Sequence, residues 1–455
     1  MSRLFGTDGV RGVANADLSP ELAFRLGRAA GYLLAEVTSG ERRPAIGIGK
    51  DTRASGDMLE AALIAGLCSS GVDVLRFGVI TTPGVAYVTR RLGLAAGAVI
   101  SASHNPVSDN GIKFFGADGF KLSDEQEDEI AAWVDRESAI PRPIGVGVGR
   151  LYDENNAKDL YLYALQRSVQ HDFRGLHVVL DCANGAAFEL APQLFRSLGA
   201  RVTAINTAPT GGNINVQCGS TYPQVLQEAV RRARADVGFA FDGDADRCIA
   251  ADAQGEIVDG DSLLYLNGVR LAKAGHLPGD TIVITVMSNL GLRRACAREG
   301  IRLVETQVGD KYVMQAMRTG GYALGGEQSG HLIFLEYATT GDGMLTALQT
   351  TESMLSARAT LAELVADLPH YPQMLVNVPV TRKEGWEVEA SIVEAIRWAE
   401  EQLRSQQGRL LVRPSGTEPL LRVMAEGPDE EVLRTVVGKV ADSIAQVLGT
   451  GAPSH

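Results

Sequence analysis

Cysteine is scarce in this chain: Cys68, Cys182, Cys218, Cys248 and Cys296 are its five in 455 residues, widely spaced and with no CxxC pair. That excludes a disulfide framework and a thiolate zinc site, and suits reduced, mostly buried thiols. Positive charge is also in deficit, with 43 Lys and Arg against 55 Asp and Glu, a formal net charge of −12. Such a balance argues against nucleic acid or a membrane surface as partner. It does not exclude a phosphorylated small molecule, because local basic loops hold phosphate on acidic proteins. No apolar run approaches the roughly 20 residues of a membrane span, and the opening MSRLFGTDGVRG has no apolar signal core; the expected location is the cytoplasm. Two catalytic signatures are missing as well. No GxSxG elbow frames Ser103, whose immediate neighbour His104 is poorly placed for a base, so a serine hydrolase is disfavoured. GIGKDTR (Gly47 to Arg53) lacks the GxxxxGK[ST] spacing of an ATP-binding loop.

What is present is a repeated grammar. PAIGIGKD (44–51) reads as a strand, a helix follows, and GVDVLRFG (71–78) reads as the next strand. LHVVLDCANG (176–185) with GARVTAIN (199–206), and TIVITVMSN (281–289) with GIRLVETQVGD (300–310), repeat the pattern. Strand, helix, glycine turn, strand is the βαβ unit of a parallel sheet, the glycine closing each helix. The chain is too long for one core and suggests roughly three or four domains. The Pro/Gly-punctuated IPRPIGVGVGR (140–150), the turn near Gly255 and LPHYPQ (368–373) are the expected joints. The last of them also suggests a hinge. Beyond the third, strand (375–380), helix, strand (409–413), strand (420–427) and helix (429–448) make a smaller domain, with a frayed GTGAPSH tail. The expected fold is therefore α/β: three similar α/β domains with mixed, largely parallel sheets, at 1–153, 154–254 and 255–368, plus a smaller C-terminal α+β domain at 369–455.

Four loops carry chemistry. VISASHNP sets Ser103 on a small-residue turn after an apolar strand, where a serine is either an exposed nucleophile or part of an ordinary Ser/Asn turn. FAFDGDADRC places Asp242, Asp244 and Asp246 at alternating positions after another apolar strand. Three carboxylates so close repel one another, and a hard divalent cation such as Mg²⁺ relieves them; the plain alternative is an acidic turn. A calcium EF-hand fails, because its sixth position would be Arg247 and its twelfth Ala253. VRPSGTEP, with Arg413, Ser415, Gly416, Thr417 and nearby Arg422, has the small residues and guanidinium fork of a phosphate cradle, against a simple hairpin connection. GGEQSGH offers Glu327, Ser329 and His331 to sugar hydroxyls and proton transfer, unless the histidine is incidental.

Together, SASHNP, DGDADR, GEQSGH and RPSGTEP, in that order over nearly the whole chain, resemble the α-D-phosphohexomutase family. FGTDGVRG, IGKDTR, GGEQSGH and TTGDG resemble most its bacterial branch acting on glucosamine phosphate. The resemblance implies four domains around a central cleft, and an isomerase, an intramolecular phosphotransferase, that serves amino-sugar and cell-wall precursor synthesis. Ser103 would be the phosphoserine, holding Mg²⁺ with Asp242, Asp244 and Asp246. Its phosphoryl group would pass to glucosamine 6-phosphate, and the resulting glucosamine 1,6-bisphosphate, which also serves as activator, would return one phosphate to Ser103. Arg11 and Arg247 would stabilise charge, while Lys113 in NGIK and His331 would move protons. Glu327 and Ser329 would contact the sugar, and the RPSGTEP loop the distal phosphate. The partner is then a small hexosamine phosphate, with the chain acting as monomer or homodimer. Tyr222 stands where many relatives have His, outside the four motifs. The alternatives are a phosphomannomutase or phosphoglucomutase, whose sugar loop would read GEMSGH, a phosphatase, and a non-catalytic sugar-phosphate-binding protein.

Overall fold

The structure, a computed structural model, describes residues 3–6, 8–35, 43–415 and 418–449. The chain divides into two compact units, Met1–Met287 with Ile301–Ala366, and Ser288–Gly300 with Asp367–His455.

Among the described residues the first unit holds three sheets. One runs in the order Val10–Val13, Asp109–Gly116, Ala96–Ile100, Ala45–Lys50, Asp73–Val79, Leu151–Asp153. Its last four strands are parallel, and Asp109–Gly116 returns antiparallel beside Ala96–Ile100. The punctuated segment 140–150 makes one short 3-10 turn, Gly145–Gly147, before Leu151–Asp153 joins the sheet edge. The second sheet runs Ile257–Val258, Cys248–Asp252, Val237–Phe241, His177–Asp181, Arg201–Ile205, parallel across its last three strands. The third runs Arg302–Thr306, Thr281–Thr285, Leu324–Gly326, Leu332–Phe334, with only the last strand antiparallel. The first and second strands of every repeated unit pair in parallel, as the repeat predicts. Ala96–Ile100, His177–Asp181, Val237–Phe241 and Thr281–Thr285 are buried at every residue, which is why they read as apolar runs rather than alternations. The closing glycines Gly71, Gly199 and Gly300 take φ of +91°, +96° and +72°, a conformation that a Cβ disfavours.

The second unit begins with the helix Leu290–Arg298 and is built on an antiparallel sheet ordered Gln373–Pro379, Leu420–Glu426, Arg409–Pro414. Val378, Leu421, Val423 and Ala425 of this sheet pack with Leu433, Val437 and Ile444 of the helix Glu430–Leu448. That helix is capped by Asp429, whose carboxylate accepts from the N–H groups of Glu431 and Val432. Among the described residues no helix is long and apolar enough to cross a membrane. Cys68, Cys182, Cys218 and Cys248 are free thiols, and burial raises the pKa of each.

Candidate active site

Ala96–Ile100 is an inner strand, so the loop that follows it is aimed from a rigid base. Ser103 sits there 2% exposed, with φ +53°, a left-handed conformation uncommon for a non-glycine residue. Its N–H donates to Ser101 Oγ (2.9 Å), and Ser101 Oγ donates to Asp51 Oδ2 (2.6 Å). Ser103 Oγ donates to Asp242 Oδ2 at 2.7 Å. His104 Nδ1 lies 3.1 Å from Ser103 Oγ, closer than its place in the sequence suggests. Burial, with Arg247 and Arg11 nearby, lowers the His104 pKa to about 4, so the ring is neutral at physiological pH.

The acidic turn follows Val237–Phe241, again an inner strand, and Ala245 at φ +56° lets it close tightly. Asp242, Asp244 and Asp246 are buried, and each offers an oxygen within 4.8 Å of the others. Burial and mutual repulsion hold the Asp242 carboxyl well above the ordinary range. Asp244 Oδ2 accepts from Thr82 Oγ1 (2.6 Å) and from Lys113 Nζ (3.0 Å). Asp244 Oδ1 and Asp246 Oδ1, though buried, have no hydrogen-bond partner among the described residues. Buried carboxylate oxygens left bare are costly, and three hard oxygen donors converging without thiolate or imidazole ligands fit Mg²⁺.

The turn is braced from behind. Gly343 N–H donates to Ala245 O (2.9 Å) at the start of the helix Gly343–Ala357. Asp342 caps that helix by accepting from Leu345 N–H (2.9 Å), and also accepts from Tyr161 Oη (2.8 Å). Burial lifts the Asp342 pKa from 3.8 to about 6. A carboxyl raised in the folded state favours folding fully below pH 3.8, and that contribution is lost as pH rises through about 6. Asn caps helices as well as Asp and carries no charge. Asp342→Asn should therefore gain stability relative to the parent, on the order of 2 kcal/mol between pH 4 and 7, in paired denaturant titrations. Parallel stability curves would contradict this.

Around the triad the structure draws a ring of alternating charge. Lys113 Nζ reaches Asp8 Oδ2 (3.2 Å), Asp244 (3.0 Å) and Asp246 (3.9 Å). Asp8 also pairs with Arg11 and Lys121, and Lys121 with Asp310. His331 stands between Asp246 (3.6 Å) and Asp310 (3.8 Å). Burial opposes charge on Lys113, but Asp244, Asp8 and Asp246 outweigh it and raise its pKa. Asp8 is lowered by Lys113, Lys121 and Arg11 against its own burial. His331 is likewise raised by Asp246 and Asp310 against burial. Yet Gly341 N–H donates to His331 Nε2 (3.1 Å), which places the proton of the neutral ring on Nδ1, towards Asp246. A Cβ on Gly341 would stand 2.4 Å from Nε2. Gly341→Ala should displace the ring and lower activity by about 100-fold, the effect of misplacing a catalytic group by about 1 Å. Unchanged turnover would show that the ring's position is unimportant.

The remaining predicted residues are placed as follows. Glu327 is half-buried, its Oε1 accepting from Gly309 N–H (3.1 Å), and Ser329 is exposed on the same loop. Arg247 donates its backbone N–H to Asp242 Oδ1 (3.2 Å), and its side chain lies 4.0 Å from Asp246. In the second unit, Arg413 and Arg422 are directly opposed on neighbouring strands, and Arg422 Nη2 lies 3.5 Å from Ser415 Oγ. Burial and then Arg422 lower the Arg413 pKa. Like charges facing one another are unfavourable unless anions join them; Glu418 already pairs with Arg422 at 3.3 Å. Gly416 and Thr417 lie outside the described residues. No sequence motif marks Asp8, Thr82, Lys121, Asp310 or Lys383, whose Nζ donates to Ser415 O (2.9 Å).

Comparison with known proteins identifies one family along the chain. The description phosphoglucomutase/phosphomannomutase matches as alpha/beta/alpha domain I at residues 2–140, domain II at 159–255, domain III at 259–371 and the C-terminal domain at 375–443. Phosphoglucosamine mutase of Bacillus cytotoxicus is 53% identical over 450 residues, covering 99% of this chain and 100% of that protein. The protein of the same name from Bacillus mycoides is 52% identical over the same length and coverage. Among solved structures, a phosphoglucomutase/phosphomannomutase family protein from Burkholderia thailandensis shares the fold with a TM-score of 0.81 at 24% identity, covering 100% of this chain and 99% of that one. N-acetylphosphoglucosamine mutase of Aspergillus fumigatus, solved with GlcNAc-6P and magnesium, superposes with a TM-score of 0.70 at 18% identity, over 97% of this chain and 95% of that one.

Proposed function

The chain belongs to the phosphoglucomutase/phosphomannomutase family, and from that premise we propose that it interconverts glucosamine 6-phosphate and glucosamine 1-phosphate. It is an isomerase that moves a phosphoryl group by way of Ser103 and a glucosamine 1,6-bisphosphate, in the cytoplasm, supplying amino-sugar nucleotide synthesis. The observation that carries the reading is Ser103: a buried serine on a strand-end loop, its hydroxyl on a carboxylate of a three-aspartate cluster.

The residues divide the work. Ser103 Oγ carries the phosphoryl group, and when the hydroxyl is free its proton faces Asp242. Mg²⁺ held by Asp242, Asp244, Asp246 and the phosphate on Ser103 would neutralise the charge that otherwise repels an anionic substrate. Arg247 and Arg11 add fixed positive charge, as phosphoryl transfer demands. Lys113 and His331 are the groups assigned to proton transfer at the sugar hydroxyl. Arg413, Ser415 and Arg422, completed by Gly416 and Thr417, bind the phosphate not in transfer. Glu327 and Ser329 bind sugar hydroxyls or the amine.

The test is turnover of glucosamine, glucose and mannose 6-phosphates by the purified chain with Mg²⁺ and a trace of glucosamine 1,6-bisphosphate. Glucosamine 6-phosphate should dominate. Faster turnover of mannose or glucose phosphate would move the protein to another substrate within the family, and release of inorganic phosphate without isomer would make it a phosphatase.

A further inference from the structure

We propose that Arg53 and Asn215 are positioning residues for Ser103, clamping its peptide carbonyl from two sides so that a phosphoryl group on Oγ has one place to stand. The proposal rests on the phosphoserine reading above. Arg53 is 2% exposed, and its ion pair with Asp51 is fully buried. Arg53 Nη2 donates to Ser103 O (3.1 Å) and Asn105 O (2.8 Å). Nη1 donates to Pro106 O and to Asp109 O (3.0 Å), and Nε to Asp51 Oδ2 (3.0 Å). One guanidinium thus holds four carbonyls along the loop and is itself held by a carboxylate. Only a planar group with five donors in a fixed fork can do this; a lysine ammonium cannot span them.

Asn215 approaches from the loop after the strand Arg201–Ile205 of the second sheet and donates Nδ2 to the same Ser103 carbonyl at 2.9 Å. Gly243 lies against this contact: a Cβ there would stand 2.5 Å from Ser103 O and 2.9 Å from Asn215 Nδ2. The clamp therefore packs against the acidic turn whose Asp242 accepts the Ser103 hydroxyl. Both residues hold the peptide and neither takes part in bond making, so they act through geometry. The geometry needs holding, because Ser103 occupies a left-handed backbone conformation at φ +53°.

In the transfer step the Oγ–P bond of phospho-Ser103 breaks, a bond from phosphorus to a sugar hydroxyl oxygen forms, and the sugar hydroxyl's proton ends on Ser103 Oγ. A phosphoserine free to move would meet the sugar hydroxyl less often in line. It would also pass its group to water more often, releasing inorganic phosphate and restoring the serine hydroxyl. Loosening the clamp should accordingly reduce transfer without weakening substrate binding.

The experiment compares Arg53→Lys and Asn215→Ala with the parent chain. The bisphosphate is supplied, Ser103 phosphorylation is counted by mass spectrometry, and kcat per phosphorylated molecule, KM for glucosamine 6-phosphate and phosphate release are measured. The clamp predicts kcat lower by about 100-fold in Arg53→Lys and about 10-fold in Asn215→Ala, KM within about twofold, and more phosphate released per turnover. Unchanged kcat per phosphorylated molecule, or a raised KM with kcat intact, overturns it. Should Arg53→Lys fail to fold, Asn215→Ala decides by the same criteria. Ser103→Ala measured alongside separates the two levels: activity surviving there defeats the phosphoserine reading, whereas its loss beside normal kcat in the two variants defeats only the clamp.

Discussion

Ser103→Ala should abolish mutase turnover, by at least about 10⁴-fold, while the protein stays folded. The substitution removes one oxygen. The left-handed backbone at residue 103 is no worse for alanine than for serine, and the hydrogen bonds to the residue's N–H and C=O remain. What is lost is the 2.7 Å bond to Asp242, about 1–2 kcal/mol of stability. The chemical loss is of another order, because no other described hydroxyl stands against the acidic cluster from this loop. Thermal unfolding of the variant checks the first part and coupled assay of glucosamine 1-phosphate the second. A residual rate within tenfold of the parent would contradict the assignment.

Asp244→Asn should also be damaging, through charge rather than through the nucleophile. Asp244 Oδ2 is already engaged by Thr82 Oγ1 and Lys113, and its buried Oδ1 is the oxygen left for a cation. An amide keeps the shape but removes the one negative charge that serves both a cation and Lys113, and turns one of the two oxygens into an NH2 donor. The Mg²⁺ concentration needed for half-maximal activity should rise at least about 10-fold to 100-fold, with kcat also falling. Chelation should silence the parent reversibly. Equal Mg²⁺ dependence in parent and variant would show that the cluster is an acidic turn and not a metal site.

Some of this is legible in the sequence alone. The three βαβ units follow from local patterning, since a buried parallel strand is an unbroken apolar run and a helix ends on a left-handed glycine. Asp242, Asp244 and Asp246 could be read as one site because five consecutive residues carry all three. Asp8, Lys121 and Asp310 could not. Lys121 and Asp310 are 189 residues apart, and Thr82 and Asp244 are 162 apart. A single charged residue in a turn has no spacing that marks it. One missed signal was nonetheless present. Asp51 directly follows the first strand of one repeated unit and Asp181 ends that of another, and each accepts the N–H two residues on, at 2.9 and 3.0 Å. Aligning the repeats would have exposed both as loop supports. In the third repeat Thr285 Oγ1 does the same for Met287 N–H at 3.3 Å.

The central claim is that Ser103 carries the phosphoryl group in turnover, and peptide mass spectrometry of that residue tests it most directly. The purified chain is incubated with glucosamine 1,6-bisphosphate, desalted, and then exposed to glucosamine 6-phosphate. The account predicts that the peptide containing Ser103 gains one phosphoryl group in the first step, and that transfer in the second step forms glucosamine 1,6-bisphosphate. A peptide that stays unmodified while isomerisation proceeds, or a phosphoryl group on Ser103 that never reaches sugar, would contradict it.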